Sequence, residues 1–413
     1  MNFFARFSAT SLMQRLGRAL PRSLWEGAVT PAMLATAMRV LKARSPRARR
    51  LAGWTALLAM ALAVVPLRGI AIETDPGDMA LPATHETAET PVAIAGGAGK
   101  AVKTDPARLA RLRAAKMPRI TKPVLFDTPE GDAIASALEV FPPDNPWHQL
   151  VDNWPLHPNS KNIIASIGTN KPFRYNLDMG FVFVPPRQKR VAVKILNGES
   201  DPGPYPVPDN VPVEGWPGSK EISLGEYQRN LKNDDADRHS LIVDPINRVL
   251  YEFWQMRKTA SGWQASQASI FDLKTNKLRP DGWTSADAAG LPIFPAVVRY
   301  DELKRGEIDH ALRVTVVKTR RAYVAPATHY ASPHTNANYP RMGERIRLRR
   351  DFDISAFSPS AQVILRALKK YGMFVADNGM DWAISVAPDE RIPSMHDELR
   401  RVKGAAFEVV VAQ

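Results

Sequence analysis

The sequence predicts a mainly β domain, of the β-sandwich or jelly-roll kind, with a few helices. Three observations point there. Many of the 35 prolines fall beyond about position 140 and cut the chain into short runs. Those runs are rich in β-branched and aromatic residues, as half-buried strands are. Glycine and proline turns separate them, and many short strands split by such turns suit packed or closed sheets. The runs at 181–184, 191–196, 240–243, 249–254, 268–273, 308–317, 345–349, 373–376 and 382–386 read as strands. A helix is expected over 358–371. Ser358-Pro359 supplies an N-cap and a first-turn proline, Ile364, Leu368 and Tyr371 share a face, and Gly372 stops it. A second is expected over 394–402, capped by Ser394 with Asp397 completing the box.

The organisation ahead of these elements falls into two parts. Residues 1–71 form a basic leader. Eleven Lys and Arg against one acid, Glu26, within the first 68 positions carry most of the formal net charge of +13. Nucleic-acid binding would place that charge on the folded body instead, so no nucleic-acid partner is expected. The uncharged segment 51–66 follows RSPRARR and is shorter than the roughly 20 apolar residues a membrane span needs. It reads as the core of a signal peptide or as a signal-anchor, and as the sole route to a membrane. Residues 72–140, rich in Ala, Thr, Pro, Glu and Gly, read as a linker with a short basic helix over 105–117. Residues 141–413 remain as one β-rich domain, exported to the periplasm or beyond.

Absent motifs narrow the chemistry. With no cysteine there is no thiolate nucleophile, disulfide or cysteine metal site. No G-x-S-x-G, P-loop, H-E-x-x-H or dinucleotide fingerprint occurs. No cofactor is expected, which leaves carboxylates and histidines.

Glu307 and Asp309 sit two apart on the run 308–317 and its approach, where alternation would give them one face with Arg313 and Thr315. Paired acids of this kind serve β-sandwich glycosidases, although Ala311 stands where a third carboxylate would follow. His310, on the opposite face, is either a core histidine or a general acid–base. His239 follows Asp237-Arg238 at a strand mouth. Asp201 shares a proline-rich loop with Tyr205, and Asp287 follows Trp283 and Ser285. Acids and aromatics on rigid loops suit a sugar groove, and equally suit structural turns. The expected catalytic set is Glu307, His310, Asp201, His239 and Asp287. Asp309, Tyr205, Trp283, His329 and Glu252 are the expected substrate contacts. His329 and His334 would need a third ligand to hold a metal, and no metal site is assigned.

Several stretches carry a resemblance: DPGPYP at 201–206, DRH at 237–239, GWTSADAAGLPI at 282–293, GEIDHALR at 306–313, ATHYAS at 327–332 and VADNG at 375–379. Over roughly 142–392 the chain resembles a widespread group of exported bacterial proteins. The resemblance implies export and that these stretches belong together; it brings no reaction with it. The expected function is an exported glycan-active enzyme, hydrolase or lyase, acting on a polysaccharide or oligosaccharide. The alternatives are a non-catalytic envelope protein that binds carbohydrate or protein, and a metal-dependent hydrolase.

Overall fold

A computed structural model describes residues 104–218, 222–229 and 236–412. The leader, the segment 51–66 and residues 72–103 of the expected linker lie outside the described residues. Fourteen strands form three sheets among the described residues. The first, of five strands, runs β1 (Val124–Leu125), β3 (Phe181–Phe183), β5 (Ser240–Asp244), β6 (Val249–Trp254) and β9 (Gln267–Asp272). The second, of six, runs β14 (Phe407–Val410), β11 (Arg345–Leu348), β12 (Met373–Asn378), β10 (Leu312–Val316), β13 (Ala383–Val386) and β2 (Arg174–Leu177). A third joins β4 (Val193–Ile195), β8 (Gly262–Ala265) and β7 (Arg257–Thr259). The mainly β expectation holds. The pairs β10/β12, β13/β2, β3/β5 and β4/β8 are parallel, so the sheets are mixed, unlike the antiparallel sheets of a jelly roll.

Alternation along the five-stranded sheet explains the layers. Leu241, Val243 and Leu250 face a core shared with Leu312, Val314, Val375 and Ile384 of the six-stranded sheet. Ile242, Tyr251 and Phe253 face the other way and pack with Trp263 and Ala265 of the three-stranded sheet. The five-stranded sheet is thus apolar on both faces, and its strands read as near-continuous hydrophobic runs.

The helix over 358–371 appears as Pro359–Lys370, capped by Ser358 Oγ, which accepts from the Ala361 N–H. Ala361, Ile364, Leu365 and Leu368 form its buried face. Gly372 ends it at φ +67, where an added Cβ would lie 2.5 Å from the Ile346 carbonyl oxygen. The second helix is a single turn, His396–Leu399, and Ser394 does not cap it. The Met395 N–H is taken instead by the Tyr175 hydroxyl at 3.0 Å.

The folded body begins well before position 141. A helix over Pro106–Ala114, the strand β1 and a helix over Pro129–Ala137 all belong to it. Two of the basic residues that suggest a solvated segment, Arg108 and Arg111, are in fact consumed by partners, while Arg113 and Lys116 are exposed. Arg108 is buried against the Val140 carbonyl, and Arg111 pairs with Asp309 at 2.5 Å. Lys370 and the Tyr371 hydroxyl both reach the carboxylate of Asp105.

Candidate functional site

The acids and histidine at 307–310 do not form a site. Strand β10 starts only at Leu312, because Gly306, at φ +81, turns the chain out of the helix Tyr300–Arg305. The intervening residues are irregular, so alternation does not align Glu307 with Asp309. Glu307 is 39% exposed and faces Lys370 at 3.4 Å. Asp309 is buried among Arg111, Arg305 and Arg108, whose charges outweigh burial and hold its carboxyl far below the ordinary range. His310 is buried with Nε2 2.8 Å from Glu302 Oε1 and Nδ1 2.8 Å from the Ala311 carbonyl. Glu302, buried yet surrounded by Arg299, His310 and Arg305, is pulled down to about 2. This is a closed ion network with no room for a substrate.

Asp201 and Tyr205 are structural as well. Asp201 Oδ2 accepts from the Ile270 N–H at 2.8 Å and from Arg279 at 2.5 Å. The Tyr205 hydroxyl donates back to the Asp201 carbonyl, and its buried ring meets Phe253 edge-on. Together they pin the proline-rich loop to β9 rather than line a groove. Trp283 lies under the guanidinium of Arg279, 5.6 Å from its centroid. His329 donates from Nδ1 to the Ala288 carbonyl at 2.8 Å. Among the described residues no three His, Asp or Glu side chains are grouped to hold a metal ion.

The remaining expected residues converge, with partners that sequence reasoning missed. Asp287, fully buried, grips Arg313 through two bonds: Nη2 donates to Oδ1 at 2.6 Å and Nε to Oδ2 at 2.8 Å. Arg313 Nη1 donates to Ser385 Oγ at 2.8 Å, and its Nη2 stands 3.8 Å from Asp377 Oδ2. Such a forked, charge-assisted pair fixes both groups in direction. Burial opposes the Arg313 charge, but Asp287 and its neighbours raise its affinity for the proton further.

Asp377 reaches Arg313 because of a register shift. Arg313 pairs with Phe374, but Thr315 pairs with Asp377, so Ala376 is an extra residue on β12. Without that bulge the period-2 alternation would point Asp377 to the opposite face. The Ala376 carbonyl accepts from the Ala289 N–H at 2.9 Å and so also holds the Asp287 loop.

Behind Asp287, His239 donates from Nε2 to the Ala286 carbonyl at 2.8 Å and from Nδ1 to Glu214 Oε2 at 2.9 Å. Both ring nitrogens face acceptors. Burial disfavours the cation, but Glu214 overrides it and lifts His239 to about 10. Placed in the expected catalytic set, His239 instead holds Glu214: both of its ring nitrogens are taken, by Glu214 and by the Ala286 carbonyl. Glu214 is raised by burial but lowered more by His239, and sits below the usual carboxylate value.

Next to Glu214 in space lies Asp178, just beyond β2; the Gly215 N–H donates to the Asp178 carbonyl at 3.1 Å. Burial and the charge of Glu214 push Asp178 up to about 8. Its Oδ1 has no hydrogen-bond partner among the described residues. Burial and Asp287 likewise push Asp377 to about 8. Within the group, Glu214 stabilises the His239 cation and is itself held toward its carboxylate, while burial favours the protonated forms of Asp178 and Asp377.

Glu252, expected to contact substrate, lies at the back of this group and is fully buried. Its carboxyl accepts the backbone N–H groups of Ile293 and Phe294 at 2.8–2.9 Å, and burial lifts it to about 7 despite them. It organises the turn that follows the Asp287 loop. Water reaches the group at its rim, where the Glu214 side chain is 20% and the Asp377 side chain 21% exposed. Two surface hollows, of about 630 and 470 Å³, open elsewhere; Leu156 and Phe407 help line one, Leu138 and Ile246 the other.

Some of this was signalled by sequence. Arg313 and Asp377 both lie in stretches that carry the resemblance, GEIDHALR and VADNG. Asp178 and Glu214 have no motif around them; only the fold brings them together. No family model matches the chain, and no curated protein or solved structure is similar to it.

Proposed function

We propose that this chain is an exported glycan-active hydrolase in which Asp178 is the general acid and Glu214 the carboxylate that attacks or activates water. The observation that carries the reading is two neighbouring carboxyl groups whose surroundings divide their roles. Glu214 is held ionised by the His239 imidazolium, while Asp178 stays protonated beside it, with one oxygen left without a protein partner. Adjacent acids driven apart in proton affinity are what acid-assisted cleavage of a glycosidic bond requires. Lyase chemistry is less well supported, because it asks for a neutral base and His239 is held as a cation. Export rests on the basic leader and the apolar segment 51–66. Among the described residues no helix is long and apolar enough to cross a membrane.

The test is release of reducing ends from a panel of neutral and uronate-containing polysaccharides by the full chain and three variants. Asp178→Asn and Glu214→Gln are expected to keep the wild-type circular dichroism spectrum and lose turnover by at least about a hundredfold. Glu307→Gln is expected to turn over normally. Undiminished turnover by Asp178→Asn would remove the acid from the mechanism. The narrow rim favours a second reading, a protein that binds glycan without cleaving it; retention of glycan with no reducing ends released by the wild type would select it.

A further inference from the structure

Beside this acid group, the chain from 317 to 342 forms a platform of aromatic rings edged by cations. The ring planes of His329 and Tyr330 lie 4° apart with centroids separated by 5.7 Å, and those of Tyr323 and Tyr330 lie 16° apart at 6.5 Å. Tyr330 is among the exposed large side chains. Arg321 stands 5.8 Å from the Tyr330 centroid, and Lys318 the same distance from that of Tyr339. Lys318 pairs with no carboxylate among the described residues.

The platform is built rather than draped. The Arg321 N–H donates to the His334 carbonyl at 2.6 Å, the Arg320 N–H to Pro340 at 2.9 Å and the Val324 N–H to Met342 at 2.9 Å. The Tyr323 hydroxyl is fixed on Asp281 Oδ1 at 2.6 Å. Two ties run from the platform to the acid group. Ser332 and Thr319 both donate to Asn378 Oδ1, one residue from Asp377. His329 donates to Ala288, one residue from Asp287.

Flat ring faces in near-parallel array cover the C–H faces of sugar rings, whose hydroxyls remain in water. Exposed cations beside them select sugars that carry a negative charge. We infer that the platform of Tyr323, His329 and Tyr330, with Lys318 and Arg321, is a subsite for uronic-acid units of a glycan chain whose cleavage is assigned above to Asp178 and Glu214. It deepens that reading and rests on it for the word substrate, though not for binding.

The experiment is affinity electrophoresis of the full chain through native gels containing polygalacturonate or, in parallel, neutral dextran. Polygalacturonate is expected to retard the wild type and dextran not to. Tyr330→Ala should weaken the retardation about tenfold. Lys318→Ala should weaken it several-fold at low salt, and the difference from wild type should vanish near 1 M salt, where charges are screened within about 3 Å. The basic leader is common to every variant, so its own attraction to a polyanion cancels between variants, and the contrast between the polymers is read as the change that Tyr330→Ala makes in each gel. Equal retardation of Tyr330→Ala and wild type overturns the subsite, as does equal retardation by the two polymers. Asp178→Asn keeps the two proposals apart: it should be retarded like wild type while releasing no reducing ends. Retention of polygalacturonate together with normal turnover by Asp178→Asn sinks the assignment of Asp178 as the acid and leaves the subsite standing. Loss of turnover in Asp178→Asn with Tyr330→Ala still fully retarded does the reverse.

Discussion

At the scale of single residues, proton affinity decides what each carboxyl group can do. Asp178 must carry its proton to act as an acid, so kcat/KM should fall as pH rises through about 8, the value to which burial and Glu214 push it. A pH–rate profile from 5 to 10 checks this, and a flat alkaline limb would contradict the role. Asp287 has a different kind of importance. Its carboxylate is the forked partner of a buried guanidinium, so Asp287→Asn strands the charge of Arg313. Breaking a buried pair from one side costs about 3–5 kcal/mol, and urea unfolding should register a loss of about that size.

At the scale of elements, local signals are honoured wherever they match the packing. The helix Pro359–Lys370 was readable because cap, first-turn proline, apolar face and terminating glycine all agree. Ser358→Ala removes the acceptor for the Ala361 N–H and should cost about 1 kcal/mol by thermal or chemical unfolding. All nine runs read as strands overlap an observed one, because their β-branched and aromatic residues fill the faces that the sheets bury. Among the strands missed, β1 is two residues long and pairs with β3, distant in sequence, while β7 is a polar three-residue strand in a tight hairpin with β8. The strand read from 308 begins late for a physical reason: Asp309 is held in ion pairs with Arg111 and Arg305, and His310 is hydrogen-bonded to Glu302, partners that only the folded helices Pro106–Ala114 and Tyr300–Arg305 present. Asp178 and Glu214 stayed hidden because their meaning lies in a 36-residue separation closed by one backbone bond between Gly215 and Asp178. A window along the sequence does not see such a contact.

At the scale of the whole molecule, the ionised and neutral groups between the two large sheets tie stability to pH. His239 binds its proton more tightly folded, at about 10, than its ordinary value of 6.5. Its contribution is fully present below about 6.5 and is lost as pH rises through 10. Asp178 and Asp377, raised to about 8, act in the same direction, with their contribution already declining above their ordinary 3.8. The melting temperature is therefore expected to fall between pH 7 and 10, and His239→Gln should flatten the decline from 8 to 10. A melting temperature that climbs over that window would show that the imidazolium is not held in the fold.

The extra residue at Ala376 gives a small length change a large chemical reach. Two strands that otherwise keep step fall out of step there by one position, and a carboxyl destined for one side of the sheet emerges on the other. Were the two strands to keep step through this point, Thr315 would pair with Ala376, and Arg313 would have a methyl group on its own side of the sheet in place of the Asp377 carboxyl. The electrostatic character of the interior is thus written partly in a single offset between β10 and β12, which composition, hydropathy and net charge do not register.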